Sequence, residues 1–362
     1  MLITVVGNRP QFIKMAPVSR ELAQRGQHEY IVHTGQHFDA NMSDVFFEEL
    51  GIPAPDRNLS IKGRSHGAMT GEMLAALEAL FLEQKPAAVL VYGDTNSTLA
   101  AALAAVKLHI PIAHAEAGPR MYDLTMPEEV NRVMVDHISH QLFCPDELSV
   151  QLLEKENVTK GVHLVGDLML DSFKMFTPKA LASRPLVEEL GLGDRPFAFM
   201  TSHRPKNTDS RDALLGLLEL LRRSPLPVLF AVHPRTEAAL KREGLWDDAK
   251  SIGNCHMVPA LGYLDVLAVL NKATIVLTDS GGLQKEAYFA KKPVLFMYDG
   301  TPWPTLEECG WLRCVGSCGS FDVQAVVELV AEYRPDLPTP PLFGDGEAAR
   351  RIVDVLIAEN LV

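Results

Sequence analysis

The chain has 362 residues, 47% of them hydrophobic, and a formal net charge of −12. That length and apolar content support two ordinary domains, while the acidic balance excludes the dense basic face that nucleic acid or an anionic membrane demands. No run of about 18 apolar residues occurs, which excludes a membrane span and leaves any phosphate ligand to be gripped locally.

Met1 runs directly into an apolar strand, Leu2 to Val6, with no basic segment, long hydrophobic stretch or cleavage site, so no secretory signal is expected. The loop Gly7-Asn8-Arg9-Pro10 follows, and Pro10 is suited to start the predicted helix Gln11 to Arg25. Arg9 and Lys14 at its N-terminal mouth are either phosphate ligands or part of a solvated helix start. GxGxxG follows neither this strand nor any other, which argues against NAD. After the strand Tyr30 to His33, His37 in Thr34-Gly35-Gln36-His37 is equally a ligand or a structural loop residue.

The helix Ser65 to Gln84 leads to a strand, Ala88 to Tyr92, and then to Gly93-Asp94-Thr95. Asp94 lies at the carboxyl end of that strand, where α/β sheets bind ligands, and reads as either a helix N-cap or a base. After the helix Thr95 to Leu108, the strand Ile112 to His114 ends in Ala115-Glu116-Ala117-Gly118, a second carboxylate on the same rim. Two acids in one cleft would push their pKa values apart and divide acid and base roles. His114, inside the apolar strand, reads as a satisfied core histidine. Glu128 and Glu129 open the helix Glu128 to Ser139, where acids also serve the helix dipole. Strands Gln141 to Cys144 and Val162 to Val165 complete the first series.

The least patterned stretch, Phe176 to Pro196, is rich in Pro, Leu and charge, and the domain junction is expected there. The expected organisation is a first domain over 1–175, a second over 176–345, and a closing segment, 346–362, whose helix Glu347 to Leu356 packs back on the first. The second series runs through strands Phe197 to Thr201, Val228 to Val232, Ile275 to Thr278 and Val294 to Met297, with helices Arg211 to Arg223 and Gly262 to Asn271. His203, joined to Arg204 at the end of the first of these strands, and His233 at the end of the next are rim histidines able to donate to phosphate or move a proton.

Thr278-Asp279-Ser280-Gly281-Gly282 ends one strand and opens the helix Leu283 to Ala290. Unpaired N–H groups, a positive dipole end and small residues make this a diphosphate seat, with Glu286 one turn on and able to reach sugar hydroxyls. The competing reading is a tight strand-to-helix turn with Ser280 as N-cap. The five cysteines, Cys144, Cys255, Cys309, Cys314 and Cys318, match no disulfide framework or common zinc spacing and fit free thiols in the cytoplasm.

Serial βα units imply an α/β fold with two doubly wound parallel sheets. In order, the motifs "GNRPQFIKMAPVSREL", "TGQHFDANMSDVFFEELGI", "VYGDTNSTLAAALAA", "HAEAGPR", "MPEEVNRV", "SHRPKNTD" and "LTDSGGLQKEA" resemble the non-hydrolysing UDP-N-acetylglucosamine 2-epimerase family. The resemblance implies two Rossmann-like domains of the glycosyltransferase-B type with the sugar in the cleft between them. It assigns Arg9, His203, Ser280, Gly281 and Gly282 to the diphosphate and Glu286 to the ribose, and matches Lys14 to the family's first-helix lysine. Asp94, Glu116 and Glu128 match its catalytic carboxylates, with His203 beside them, and Gln36 and Arg64 are nearest to a second, regulatory UDP-sugar site. It further implies a UDP-sugar as partner, no cofactor or metal, and a homodimer.

The chemistry agrees. The C2 hydrogen of a UDP-N-acetylhexosamine has no adjacent ring carbonyl and is barely acidic, so simple deprotonation fails. Eliminating UDP to a glycal and adding it back solves the problem, and needs a firm hold on the leaving diphosphate, commonly worth ~3 kcal/mol per well-placed donor. Departures from the family pattern gather elsewhere: Pro119 replaces Leu, Lys206 stands near an often acidic position, and Tyr298, Pro302 and Thr305 stand where Arg, Glu and Glu are usual. They leave open a related sugar such as a diacetamido-uronic acid, for which Lys206 would be suited, a hydrolysing epimerase, or a UDP-sugar glycosyltransferase of the same architecture.

Overall fold

A computed structural model describes residues 1–36, 50–183, 185–193 and 195–362. They form two compact units, Met1–Met175 with Pro341–Val362, and Phe176–Pro340.

In the first unit, strands β1 (Leu2–Val6), β2 (Glu29–His33), β3 (Arg57–Asn58), β4 (Ala88–Tyr92), β5 (Ile112–Ala115), β6 (Gln141–Cys144) and β7 (Val162–Leu164) form one sheet in the order β3-β2-β1-β4-β5-β6-β7. Every pairing is parallel. β1 and β4 are buried along their whole length, as expected of strands covered on both faces. The alanine-rich helix Asn96–Lys107 packs closely on helix His66–Gln84, burying Ala100, Ala101, Ala104 and Ala105 against Met73 and Leu77. It begins with a capping box: the Thr95 side chain accepts from the Thr98 N–H while Thr98 answers to the Thr95 backbone.

In the second unit, β8 (Ala198–Ser202), β9 (Val228–Val232), β10 (Cys255–Pro259), β11 (Ile275–Thr278), β12 (Val294–Phe296) and β13 (Leu312–Cys314) form a parallel sheet in the order β10-β9-β8-β11-β12-β13. A core cluster gathers Leu214, Leu217, Leu218 and Leu221 of helix Arg211–Arg223 against Met200, Phe230 and Leu277 of the strands. Strand order reverses between β1 and β4 in one sheet and between β8 and β11 in the other. At such points the connections leave on opposite faces and open a crevice at the strand ends. The loops Gly7–Arg9 and Gly93–Asp94 flank the first reversal, and His203–Arg204 and Asp279–Gly282 flank the second.

Most predicted strands match to within a residue. Among the described residues three strands went unpredicted, β3, β10 and β13, all at sheet edges. The helix expected from Leu283 runs over Gly281–Phe289, so both glycines lie in its first turn.

Candidate active site

In the first unit, Asn8 caps the helix Arg9–Gln24 by accepting from the Gln11 N–H. Gln11 ties this turn to the next loop: its Oε1 accepts from Gly7 N (2.7 Å), and its Nε2 donates to the Tyr92 carbonyl, Thr95 Oγ1 and Thr98 Oγ1. Arg9 is the first helical residue and half-buried. Lys14, one turn on, is buried and ion-paired at 2.7 Å to Glu116. The pair lines a small pocket with Pro145, Asp167, Leu168 and Ile352. Glu116 has φ 67°, in the left-handed region, which is costly for a residue with a side chain and is retained where surrounding structure over-determines it.

Asp94 is not the N-cap, a role Thr95 takes. Its carboxylate pairs with Arg132, a residue that motif reading left without a role, and its carbonyl accepts from Asn131 Nδ2 at 2.9 Å. Arg132 also meets Glu129 at 3.1 Å. Burial works against the Arg132 charge, but Asp94, Glu129 and Glu116 outweigh it and raise its pKa. Arg132 thus gathers Asp94 and Glu116 into one electrostatic cluster. Glu129 is buried and accepts the backbone N–H groups of Met121 and Tyr122, fixing the loop before the helix Pro127–Ile138. Its neighbour Glu128 is exposed on the first turn. The two adjacent acids therefore separate into a buried clamp and a side chain facing solvent.

His114 is a satisfied core histidine, bonded through both ring nitrogens at 2.7 Å. Gln36 accepts from Ser97 N and Oγ, and Arg64 is an exposed partner of Glu72 at 3.3 Å. His37 lies outside the described residues.

In the second unit, Asp279 is fully buried at the end of β11 and joins it to the loop after β8. It accepts from Ser202 Oγ, the N–H groups of His203 and Arg204, and Asn207 Nδ2, all at 2.9–3.0 Å, and lies 3.1 Å from His203 Nδ1. Burial pushes its carboxyl up, but the bonds from His203, Asn207 and the Arg204 N–H outweigh that and hold the pKa at about 2. The His203 ring packs against His233, centroids 5.1 Å apart, and the His233 side chain caps its own helix. His203 is thereby oriented by Asp279, a residue whose part is visible only once β8 and β11 are neighbours.

Ser280 occupies the N-cap position of helix Gly281–Phe289, but its side chain makes no capping bond. Neither Gly281 nor Gly282 has positive φ, so the turn does not require glycine. A Cβ at Gly282 would meet nothing within 4 Å, and one at Gly281 would meet only Arg204 Nη2, at 3.9 Å. The first turn is open, with the Arg204 guanidinium beside it, stacked 4.5 Å from the Tyr298 centroid. Such an end concentrates positive potential. Glu286 is buried one turn on. Trp303 Nε1 donates to the Gly281 carbonyl at 3.2 Å, and Lys285 Nζ lies 3.9 Å above its ring.

The family model described as UDP-N-acetylglucosamine 2-epimerase matches residues 20–357. A UDP-N-acetylglucosamine 2-epimerase homolog of Methanococcus maripaludis is 42% identical over 98% of this chain and 99% of its own. The UDP-2,3-diacetamido-2,3-dideoxy-D-glucuronate 2-epimerase of Pseudomonas aeruginosa is likewise 42% identical, with the same coverage. Among solved structures, that of Methanocaldococcus jannaschii UDP-GlcNAc 2-epimerase in complex with UDP-GlcNAc and UDP superposes with a TM-score of 0.90 at 35% identity, covering 99% of both chains. With matches spanning nearly its full length, the chain belongs to the UDP-N-acetylglucosamine 2-epimerase family of isomerases.

Proposed function

We propose that this enzyme inverts C2 of a UDP-N-acetylhexosamine, converting UDP-GlcNAc to UDP-ManNAc by eliminating UDP and adding it back. The observation that carries the reading is the open glycine turn at Gly281–Gly282 with Arg204 beside it. Glycines that the backbone does not need, at a helix end whose Ser280 side chain leaves the turn uncapped, suit a diphosphate that must approach the N–H groups closely. Relatives named as UDP-GlcNAc 2-epimerases, one of them solved with UDP-GlcNAc and UDP, support the substrate class.

In this mechanism a carboxylate of the set Asp94, Glu116 and Glu128 removes the C2 proton. The electron pair forms the C1=C2 bond and the C1–O bond breaks, leaving UDP on Arg9, His203, Ser280, Gly281 and Gly282, with Glu286 on the ribose. A second acid of the set then delivers a proton to the opposite face of C2 while a UDP oxygen attacks C1. Arg132 and Lys14 orient Asp94 and Glu116. No net oxidation occurs, and the reading requires no redox cofactor. In this reading the enzyme works in the cytoplasm as a homodimer, and sedimentation of the purified protein checks the dimer.

Incubation with UDP-GlcNAc in deuterated water tests the reaction. Deuterium at C2 of intact UDP-sugar is the expected result. Free UDP with ManNAc would instead indicate hydrolysis, and absence of C2 exchange would remove the epimerase reading for this sugar. A second reading is a UDP-diacetamido-uronic acid as substrate, in keeping with the P. aeruginosa relative. It is favoured by Lys206, a cation whose ammonium lies 4.9 Å from the Tyr298 centroid and 3.1 Å from Asp299. The same assay with that UDP-sugar decides between them.

A further inference from the structure

The two carboxylate-bearing loops of the first unit are connected through one buried histidine. His114 Nε2 lies 2.7 Å from the Gly93 carbonyl, which can only accept, so the ring donates to the residue immediately before Asp94. On its other side, Nδ1 lies 2.7 Å from Asp136 Oδ1. Asp136 Oδ2 in turn accepts the Gly118 N–H at 3.1 Å and Arg120 Nη1 at 2.7 Å. Arg120 then forks onto Glu156, both bonds at 2.8 Å. The His114, Asp136 and Arg120 side chains are fully shielded from solvent.

Glu116 sits in the middle of this loop of bonds. His114 is two residues before it, Gly118 two residues after it, and its own backbone is left-handed at φ 67°. A strained φ of this kind persists only where its surroundings leave the chain no alternative. Gly118, at φ 95°, has no room for a side chain, since a Cβ there would lie 2.6 Å from the Ser149 carbonyl oxygen. The segment is therefore held at both ends.

We propose that the His114–Asp136 pair is the positioning element that sets Asp94 and Glu116 at a fixed separation. The inference rests on the reading that these two carboxylates carry the C2 chemistry. His114 and Asp136 act through the backbone at Gly93 and Gly118 and touch no substrate. Charge-assisted bonds in a dry interior are stiff, and their stiffness is transmitted to groups whose placement must hold to a fraction of an ångström.

The test compares Asp136→Asn with Glu116→Gln and with a core control, Leu77→Ala, which lies in the same unit but outside these bonds. The carboxamide of D136N carries no charge, and to keep Gly118 and Arg120 on its one oxygen it must turn its NH2 group toward His114 Nδ1, so the charge-assisted bonds to His114 and Arg120 are lost. Well below its melting temperature, D136N is expected to lose on the order of 100-fold in kcat, the scale set by a misplacement of about 1 Å. KM and UDP affinity should stay within about threefold, because the lost interaction matters only in the transition state. L77A should keep its kcat despite lower stability. Should D136N fold poorly, His114→Gln provides the same test, since its amide can keep the Gly93 bond while losing Asp136. If E116Q is inactive while D136N and H114Q keep kcat within about twofold of wild type, or lose no more than L77A, the positioning role is overturned and the catalytic reading stands. If E116Q retains full C2 exchange, the catalytic reading falls and the positioning role falls with it.

Discussion

Gly282→Ala separates the two readings of the glycine turn, because they predict opposite signs for different observables. The added Cβ would meet nothing within 4 Å, and the backbone there is not left-handed, so the folded protein accommodates it without strain. Removing the freedom of a glycine from the unfolded chain should stabilise the apo-protein by about 0.4–1 kcal/mol. For units of this size that is a rise of roughly 1–4 °C in Tm. The same methyl group occupies the space through which a diphosphate would approach the first-turn N–H groups. Losing one charge-assisted hydrogen bond costs about 1.5–3 kcal/mol. UDP affinity should then fall by roughly 10- to 150-fold. Differential scanning calorimetry of the apo-protein and titration calorimetry with UDP measure both effects. A variant that is more stable and binds UDP as wild type does would refute the diphosphate seat and leave the glycines as an ordinary turn.

Other expectations follow from the same geometry. Asp94→Asn and Glu116→Gln should each abolish deuterium incorporation at C2 while UDP binding by calorimetry stays near wild type; full exchange in both would remove them from the acid and base set. Arg9→Ala should weaken UDP binding, and unchanged affinity would contradict its phosphate role. The Asp279 carboxyl has a folded pKa of about 2, below its ordinary value of 3.8, so its contribution to stability is present above pH 4 and lost as pH falls towards 2. That shift corresponds to about 2 kcal/mol. In urea unfolding, the stability gap between wild type and Asp279→Asn should therefore narrow over that pH range, and a gap independent of pH would show that the carboxylate charge is not what holds the β8 loop. Lys206→Glu should lower activity on a carboxylate-bearing UDP-sugar more than on UDP-GlcNAc, and equal effects on the two would argue against Lys206 as a selector.

What could be read from the sequence divides along physical lines. Strands such as β4 and β9 are apolar at every position, and β1 at every position but Thr4, because both faces are covered, and that signal is local. β3, β10 and β13 are edge strands with half-exposed or polar residues, so no continuous apolar run marks them. Asp94 and Glu116 were visible as carboxylates at strand ends. Their partners were not, since Arg132 lies 38 residues from Asp94 and meets it only through the adjacency of β4, β5 and the helix Pro127–Ile138. Asp279 stands inside a motif that drew attention for its glycines, yet its bonds reach back 72 to 77 residues, to the loop after β8. The capping role open to Asp94 went instead to Thr95, whose hydroxyl accepts from the Thr98 N–H while the Thr98 side chain accepts from the Thr95 backbone N–H.

The last helix, Ala348–Ala358, belongs to the first unit, where Asp171 receives the N–H groups of Ala348 and Ala349 and Arg25 pairs with Asp354. During synthesis the ribosome therefore releases all of Phe176–Pro340 before the earlier unit obtains its closing segment. The middle of the chain can mature first, while the amino-terminal sheet waits, part of its surface uncovered, for residues translated some 170 positions later. Order of emergence and order of completion are thus reversed, and the interval between them is the period in which chaperones have most reason to attend this polypeptide.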